Sequence, residues 1–207
     1  VTGRPLRLRD LDLDRFFRPA SMAVVGASDT PGRPNTLITA RLRAWAERRG
    51  AAFWPVNPNR DRVDGLPCAP SLAALPGPVD LAVLLTGDVL GAVRAAIDAG
   101  ARFAVAFGAG FAEVGAAGRR AQERLAAMVE ASGLHLLGPN TNLNAFEEFR
   151  EDLPPPKIAL ITQSGHQGRP IFQSEELGIG LAAWAPTGNE VDLEFADFAK
   201  YFAGKPE

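Results

Sequence analysis

A single cysteine, Cys68, stands in the 207 residues. No disulfide framework can form within the chain, and a reducing, cytoplasmic setting fits. Histidine is almost as scarce. His135 and His166 are the only two, and with one lone thiol they compose none of the ligand spacings of a metal site. No apolar run is long enough to span a bilayer, and the N-terminus lacks the apolar core of a signal peptide. Neither sign of charge dominates: the formal net charge is −2, without the basic excess that nucleic-acid binding brings. No G-K-[ST] follows a glycine-rich turn, which excludes a Walker loop. What is left is a soluble, globular protein of one large domain, or of one domain and part of another.

The stretch that organises the chain is residues 23–42. Ala23, Val24 and Val25 read as a buried strand that breaks at Gly26. A turn rich in Gly, Ser and Pro follows, and then a helix with Ile38, Leu42 and Trp45 on one face. Such a junction aims free N–H groups and the positive end of a helix dipole at one point, where an anion can sit. We read it as a phosphate-binding turn.

The rest of the first 150 residues alternates strand and helix. Strands are expected over 51–56, 79–85, 102–107 and 134–137, with 65–70 as loop and a helical turn over 71–75. The unbroken apolar run 79–85 implies burial on both faces. Val89, Val93, Ala96 and Ile97 stripe one helix, which ends at Gly100; Ala121, Leu125, Met128 and Val129 stripe another, which ends at Gly133. Before the first strand, Leu11, Leu13, Phe16 and Phe17 are expected to anchor an N-terminal arm. The alternation predicts an α/β fold with a parallel, doubly wound sheet, whose ligand lies at the carboxyl ends of the strands. Gly26, Asn57-Pro58-Asn59, the glycines of 108–110 and Gly-Pro-Asn at 138–140 all fall on that edge.

Around 146–156 the pattern changes to acidic residues and a triple proline, read as a linker. Strand, turn and helix then recur: a strand over 158–161, a turn over 162–168, a helix through Leu177, a strand over 181–184, and a last helix striped by Val191, Phe195, Phe198 and Phe202. Residues 1–150 are thus expected to form one domain and 157–207 the start of a second. Two strands and two helices make a poor core alone, so the second unit is expected to be incomplete here or completed by another chain.

A dinucleotide fingerprint needs G-x-G-x-x-G after the first strand and an acid at the end of the second. Here Ser28 takes the second glycine position, and the second strand ends in Asn57-Pro58. His135 reads as a strand residue on the sheet, and no Ser/His/acid set can be assigned.

Six motifs in order then carry a resemblance: residues 17–29, Pro-Val-Asn-Pro at 55–58, Gly-Leu-Pro-Cys at 65–68 with Ser71-Leu72, Gly-Phe-Ala-Glu at 110–113, Gly-Pro-Asn at 138–140 and Gln-Ser-Gly at 163–165. The chain resembles the N-terminal region of NDP-forming acid–CoA ligases, the group that includes ADP-forming acetyl-CoA synthetase, the succinyl-CoA synthetase alpha subunit and the CoA-binding domains fused to protein acetyltransferases. The resemblance implies a Rossmann-like CoA-binding domain followed by an incomplete flavodoxin-like unit. It implies that Gly26, Ser28 and the Pro31-Gly32-Arg33 turn hold CoA phosphates and that Asn57 and Pro58 lie against the adenosine end. Thr86 and Gly87 would border the CoA tail, with Asn140 near the thiol. Gln163, Ser164 and Gly165 would open the helix that receives a phosphohistidine. ATP/ADP or GTP/GDP would bind a nucleotide-grasp domain or subunit beyond these residues, so no ligase turnover is expected from them alone; a homo-oligomer is compatible.

Several residues depart from the family pattern. Asn35 stands where a later loop glycine is usual, Pro34 fills the first helical turn, Thr141 replaces a cysteine, and His166 replaces a small residue. Pro34 is tolerable, because the first N–H groups of a helix have no helical partner. His166 reads either as a phosphocarrier or as a polar turn residue. The family's catalytic histidine comes from a later loop, so none is expected in this chain. Gly-Arg-Pro occurs twice, at 32–34 and 168–170, each time beside a helix start, where a guanidinium suits phosphate. Two rival readings stay open: a non-catalytic CoA or acyl-CoA sensor of an acetyltransferase-type protein, and an NAD(H)-binding redox sensor.

Overall fold

Apolar runs without polar interruption become the central strands of a parallel sheet, because helices must cover both of its faces. In the computed structural model, which describes residues 11–164 and 168–205, a short helix α1 (Asp14–Phe17) leads into β1 (Ser21–Val25). Helix α2 (Pro34–Arg48) and strand β2 (Ala52–Val56) follow. The loop expected at 65–70 instead pairs as a small antiparallel ribbon of β3 (Arg62–Val63) and β4 (Leu66–Pro67). Asp64 and Gly65 both take positive φ between them, the two-residue hairpin chemistry that an Asp-Gly pair favours. Then come β5 (Leu81–Leu84), α3 (Val89–Asp98), β6 (Phe103–Ala106), α4 (Ala116–Glu130) and β7 (His135–Leu137). The strands lie in the order β2-β1-β5-β6-β7, each pair parallel. From β1 the chain goes to one side for β2 and returns to the other for β5. The crevice between the carboxyl ends of β1 and β5 is therefore the topological switch point.

Alternate side chains point to opposite faces, and two cores follow. Met22, Val24, Val83 and Val105 pack with Leu42 and Trp45 of α2 and with Phe16 of α1. Ala23, Ala82, Leu84 and Ala104 pack with Val93 and Ala96 of α3 and with Leu125 and Val129 of α4. The expected anchors are in place: Leu13 and Phe16 are buried, and Leu11 and Phe17 lie half-buried against them.

Beyond β7 the structure departs from the expected linker at its start. Phe146 is buried, 5.2 Å from Trp45 in ring-to-ring contact, so it belongs to the first core. The second unit contains β8 (Ile158–Thr162), α5 (Gln173–Glu176), β9 (Leu181–Pro186) and α6 (Phe195–Ala203), with β8 and β9 parallel in their own two-stranded sheet. The single helix expected through Leu177 is a 3-10 turn, Arg169–Phe172, followed by the four residues of α5. Val191 precedes the last helix, and Phe195 is exposed. A reciprocal cap between Glu194 and Asp197 starts α6 at Phe195; Phe198 and Phe202 of the expected stripe face the core, joined by Tyr201 in place of Phe195. Phe198 joins the core that holds Leu13 and Phe16.

Candidate functional site

Where β1 ends, Gly26 takes φ +84°, and a Cβ there would stand 2.7 Å from the Leu85 carbonyl oxygen. Only glycine lets the first loop pass that close to the end of β5. Asn35 then ties the two together: its Nδ2 donates to Gly26 O at 2.9 Å and to Leu85 O at 3.0 Å. The residue that broke the family pattern is thus a clamp across the switch point.

The loop between is closed by its own hydroxyls. Ser28 is buried; its N–H donates to Thr39 Oγ1 at 3.2 Å, and its Oγ accepts from Thr30 N–H at 3.2 Å. Thr36 Oγ1 donates to Thr30 O at 2.6 Å, and Thr39 Oγ1 donates to Asn35 O at 2.7 Å. From the second loop, Asn57 Nδ2 donates to Ala27 O at 2.8 Å, and Asn57 Oδ1 accepts from Asn59 N–H at 3.0 Å. Ser28 and Asn57 therefore shape the loops with the groups that a ligand would otherwise take.

A cavity of about 530 Å³ opens here, lined by Gly26, Ser28, Arg33, Pro34, Asn35, Asn57, Asn59, Arg60, Leu85, Thr86 and Gly87. Six of the expected residues meet in it. Pro31, Gly32 and Pro58 are not in its lining. Arg33 is the residue before α2, and no side chain caps that helix; Pro34 has no N–H and Thr36 N–H donates to Arg33 O at 3.1 Å, so the Asn35 N–H is the first-turn donor left to the cavity. Arg60 pairs with Asp29 at 2.9 Å and also donates to Thr30 Oγ1, which neutralises it. Arg33 makes no ion pair among the described residues and is exposed, so it is the cation left for a ligand. Arg60 and Asn59 were not foreseen. The opposite charges of Asp29 and Arg60 were visible, but only the β1–β2 pairing brings them together.

Asn140 stands apart, two strands away, in a second polar cluster. Its Nδ2 donates to Asn189 Oδ1 at 3.2 Å. Asn189 Nδ2 in turn donates to Glu113 Oε2 at 2.6 Å and to Gln122 Oε1 at 3.0 Å. Glu113 Oε1 accepts from the N–H groups of Gly110 at 2.6 Å and Phe111 at 3.1 Å. Partial burial would raise the Glu113 carboxyl, but these donors outweigh it and hold it down at about 2. Gly188 sits at φ +64°, where a Cβ would press on the Pro139 carbonyl oxygen at 2.5 Å.

Gln163 and Ser164 line a separate hollow with Thr162, Gly168 and Ile171. Gly165 and His166, and the side chain of Arg169, lie outside the described residues. Cys68 is half-buried behind the second loop, and burial pushes its thiol up. His135 Nδ1 lies 3.3 Å from Asp192 Oδ2, on the β7 edge.

A parallel α/β sheet with an uncapped helix start beside its switch point defines a domain of the Rossmann-like class. The chain belongs to the CoA binding domain family, which matches residues 20–147. It is 31% identical over 204 residues to the alpha subunit of acetate–CoA ligase [ADP-forming] II of Pyrococcus furiosus, a match covering 94% of this chain and 44% of that protein. It is 30% identical to a trans-feruloyl-CoA synthase from an unknown prokaryotic organism, covering 94% of this chain and 29% of that protein. Among solved structures, it is similar to acetyl-coenzyme A synthetase 1 of Candidatus Korarchaeum cryptofilum in complex with phosphate and ADP. The TM-score is 0.79 at 32% identity, over 94% of this chain and 43% of that one. A crystal structure from Pyrococcus horikoshii gives a TM-score of 0.81 at 27% identity, over 93% of this chain and 46% of that one. The chain thus spans less than half the length of these relatives.

Proposed function

We propose that this chain is the CoA-binding portion of an NDP-forming acid–CoA ligase, acting in the cytoplasm as part of a larger protein or complex. The observation that carries the reading is the switch-point cavity, with the uncapped start of α2 and the unpaired Arg33 at its mouth. A phosphate there gains the Asn35 N–H, the positive end of the helix dipole and one guanidinium together. The ADP-forming ligases among the relatives supply the reaction class.

In this reading Arg33 and the Asn35 N–H hold CoA phosphate, with Pro31 and Gly32 setting the turn. Gly26 and Ser28 shape the loop, Asn57 and Pro58 flank the adenosine end, and Thr86 and Gly87 border the tail. Asn140 stands near the thiol, and Gln163, Ser164 and Gly165 belong to the phosphate-accepting turn after β8. Residues 1–150 form the CoA-binding domain, and 157–207 begin the ligase-type unit. The nucleotide, ATP/ADP or GTP/GDP, binds a nucleotide-grasp partner that these residues do not include.

Calorimetric titration with CoA and with NAD(H) tests the reading. CoA binding without NAD(H) binding is expected; NAD(H) binding without CoA would replace it with the redox-sensor alternative. An acetyltransferase domain in place of a nucleotide-grasp domain in the full-length gene would favour the acyl-CoA sensor.

A further inference from the structure

The second turn of α2 faces a different hollow. It measures about 380 Å³ and is lined by Leu37, Ile38 and Leu42 of the helix, Phe107 after β6, and Leu143. Leu37 is 78% exposed and Phe107 41%, so two large apolar side chains stand uncovered at its rim. Its one charged lining residue, Arg41, is bonded to Glu147 at 2.7 Å. Asn142 Oδ1 accepts from Asn144 N–H at 2.9 Å. The hollow therefore offers apolar surface and no free cation for a carboxylate.

It also adjoins the switch-point cavity. Arg33, Pro34 and Asn35 line the cavity, and Leu37 and Ile38, one turn on, line the hollow. Leu85 and Phe107 follow the ends of β5 and β6, which are paired as Leu84 with Ala106. From β1 to β6 is two strand spacings, about 10 Å. A pantetheine chain held by its phosphate at α2 spans that distance, so its sulfur comes within reach of Phe107.

We infer that this hollow receives the acyl group of an acyl-CoA and favours uncharged, apolar groups of several carbons over acetyl and over dicarboxylic groups. The inference rests on the CoA-binding reading above. A dicarboxylic acyl group would carry its second carboxylate onto apolar surface without a partner, which is costly.

Titration of this chain with CoA, acetyl-CoA, hexanoyl-CoA and succinyl-CoA tests it. Each buried methylene favours binding a few-fold, so hexanoyl-CoA should bind at least about tenfold more tightly than CoA, and succinyl-CoA no more tightly. Leu37→Gln, neutral and at an exposed helical position, should remove most of the hexanoyl advantage while the CoA affinity and the circular dichroism stay as in the parent. Equal affinities of the parent for CoA and hexanoyl-CoA would overturn the inference and leave CoA binding standing. Equal losses for both ligands in the variant would place the pantetheine chain itself in the hollow and also overturn it. Failure of every ligand, CoA included, would instead remove the CoA-binding reading, and this inference with it.

Discussion

At the scale of single residues, Gly26, Arg33 and Asn35 divide the work of the first loop. Gly26 permits the close pass beneath Leu85. Gly26→Ala should cost roughly 1–2 kcal/mol from its positive φ alone, with more from the contact, read as a lower denaturation midpoint. Asn35→Ala removes two hydrogen bonds that join the loops after β1 and β5. It should lower stability by about 1–2 kcal/mol and weaken CoA as the cavity loosens. The Arg33 side chain makes no such internal bond among the described residues, so Arg33→Ala should leave stability unchanged. It should weaken CoA by roughly 1–3 kcal/mol, as for a charge-assisted contact, while pantetheine without phosphate binds as before. Equal losses for both ligands in calorimetry would show that Arg33 does not touch phosphate. Gly26 and Arg33 were legible from the strand–turn–helix pattern. The clamp made by Asn35 was not, because its second acceptor lies 50 residues away and nothing local announces it.

At the scale of elements, the sheet edge that looked like one site in sequence divides into two. The loops after β1, β2 and β5 surround the cavity, while those after β6, β7 and β9 meet around Glu113 and Asn189. The strand order β2-β1-β5-β6-β7 draws the boundary between the two groups at β5 and β6. Periodicity shows that each loop follows a strand, but not which strands are neighbours. Glu113 holds its cluster as a carboxylate, its folded value depressed from 4.5 to about 2. A depressed acid stabilises the fold above its unfolded value and loses that contribution as pH falls through the folded one. Glu113→Gln should therefore be less stable than the parent at neutral pH. The gap should stay constant down to about pH 4.5 and narrow from there toward pH 2, as read by urea unfolding at a series of pH values. A gap that did not change with pH would mean that the carboxylate charge contributes nothing.

At the scale of the whole molecule, residues 187–193 run beside β7, where Val191 N–H donates to Gly138 O at 3.2 Å and Leu193 N–H donates to Leu136 O at 3.0 Å. Helix α6 closes onto α1: Tyr201 Oη and Lys205 Nζ both donate to Asp14 Oδ1, at 2.6 and 2.8 Å. These bonds hold the Asp14 carboxyl below its usual range. Phe198 is buried among Phe16 and Phe17. Its truncation to alanine should cost about 3–5 kcal/mol. Tryptophan fluorescence, which includes Trp184 of β9, should report the same single transition as circular dichroism. The sequence by itself determined the five strands of the main sheet and the helices that cover it, because period, glycine and capping chemistry act over a few residues. It also showed that two strands could not make a core alone. Tertiary structure decided where that core came from: Phe198 and Leu193 are buried with Leu13 and Phe16. It decided too that Arg60 is neutralised and Arg33 is not. Both outcomes depend on which distant surfaces meet when the sheet assembles, and no local pattern encodes that.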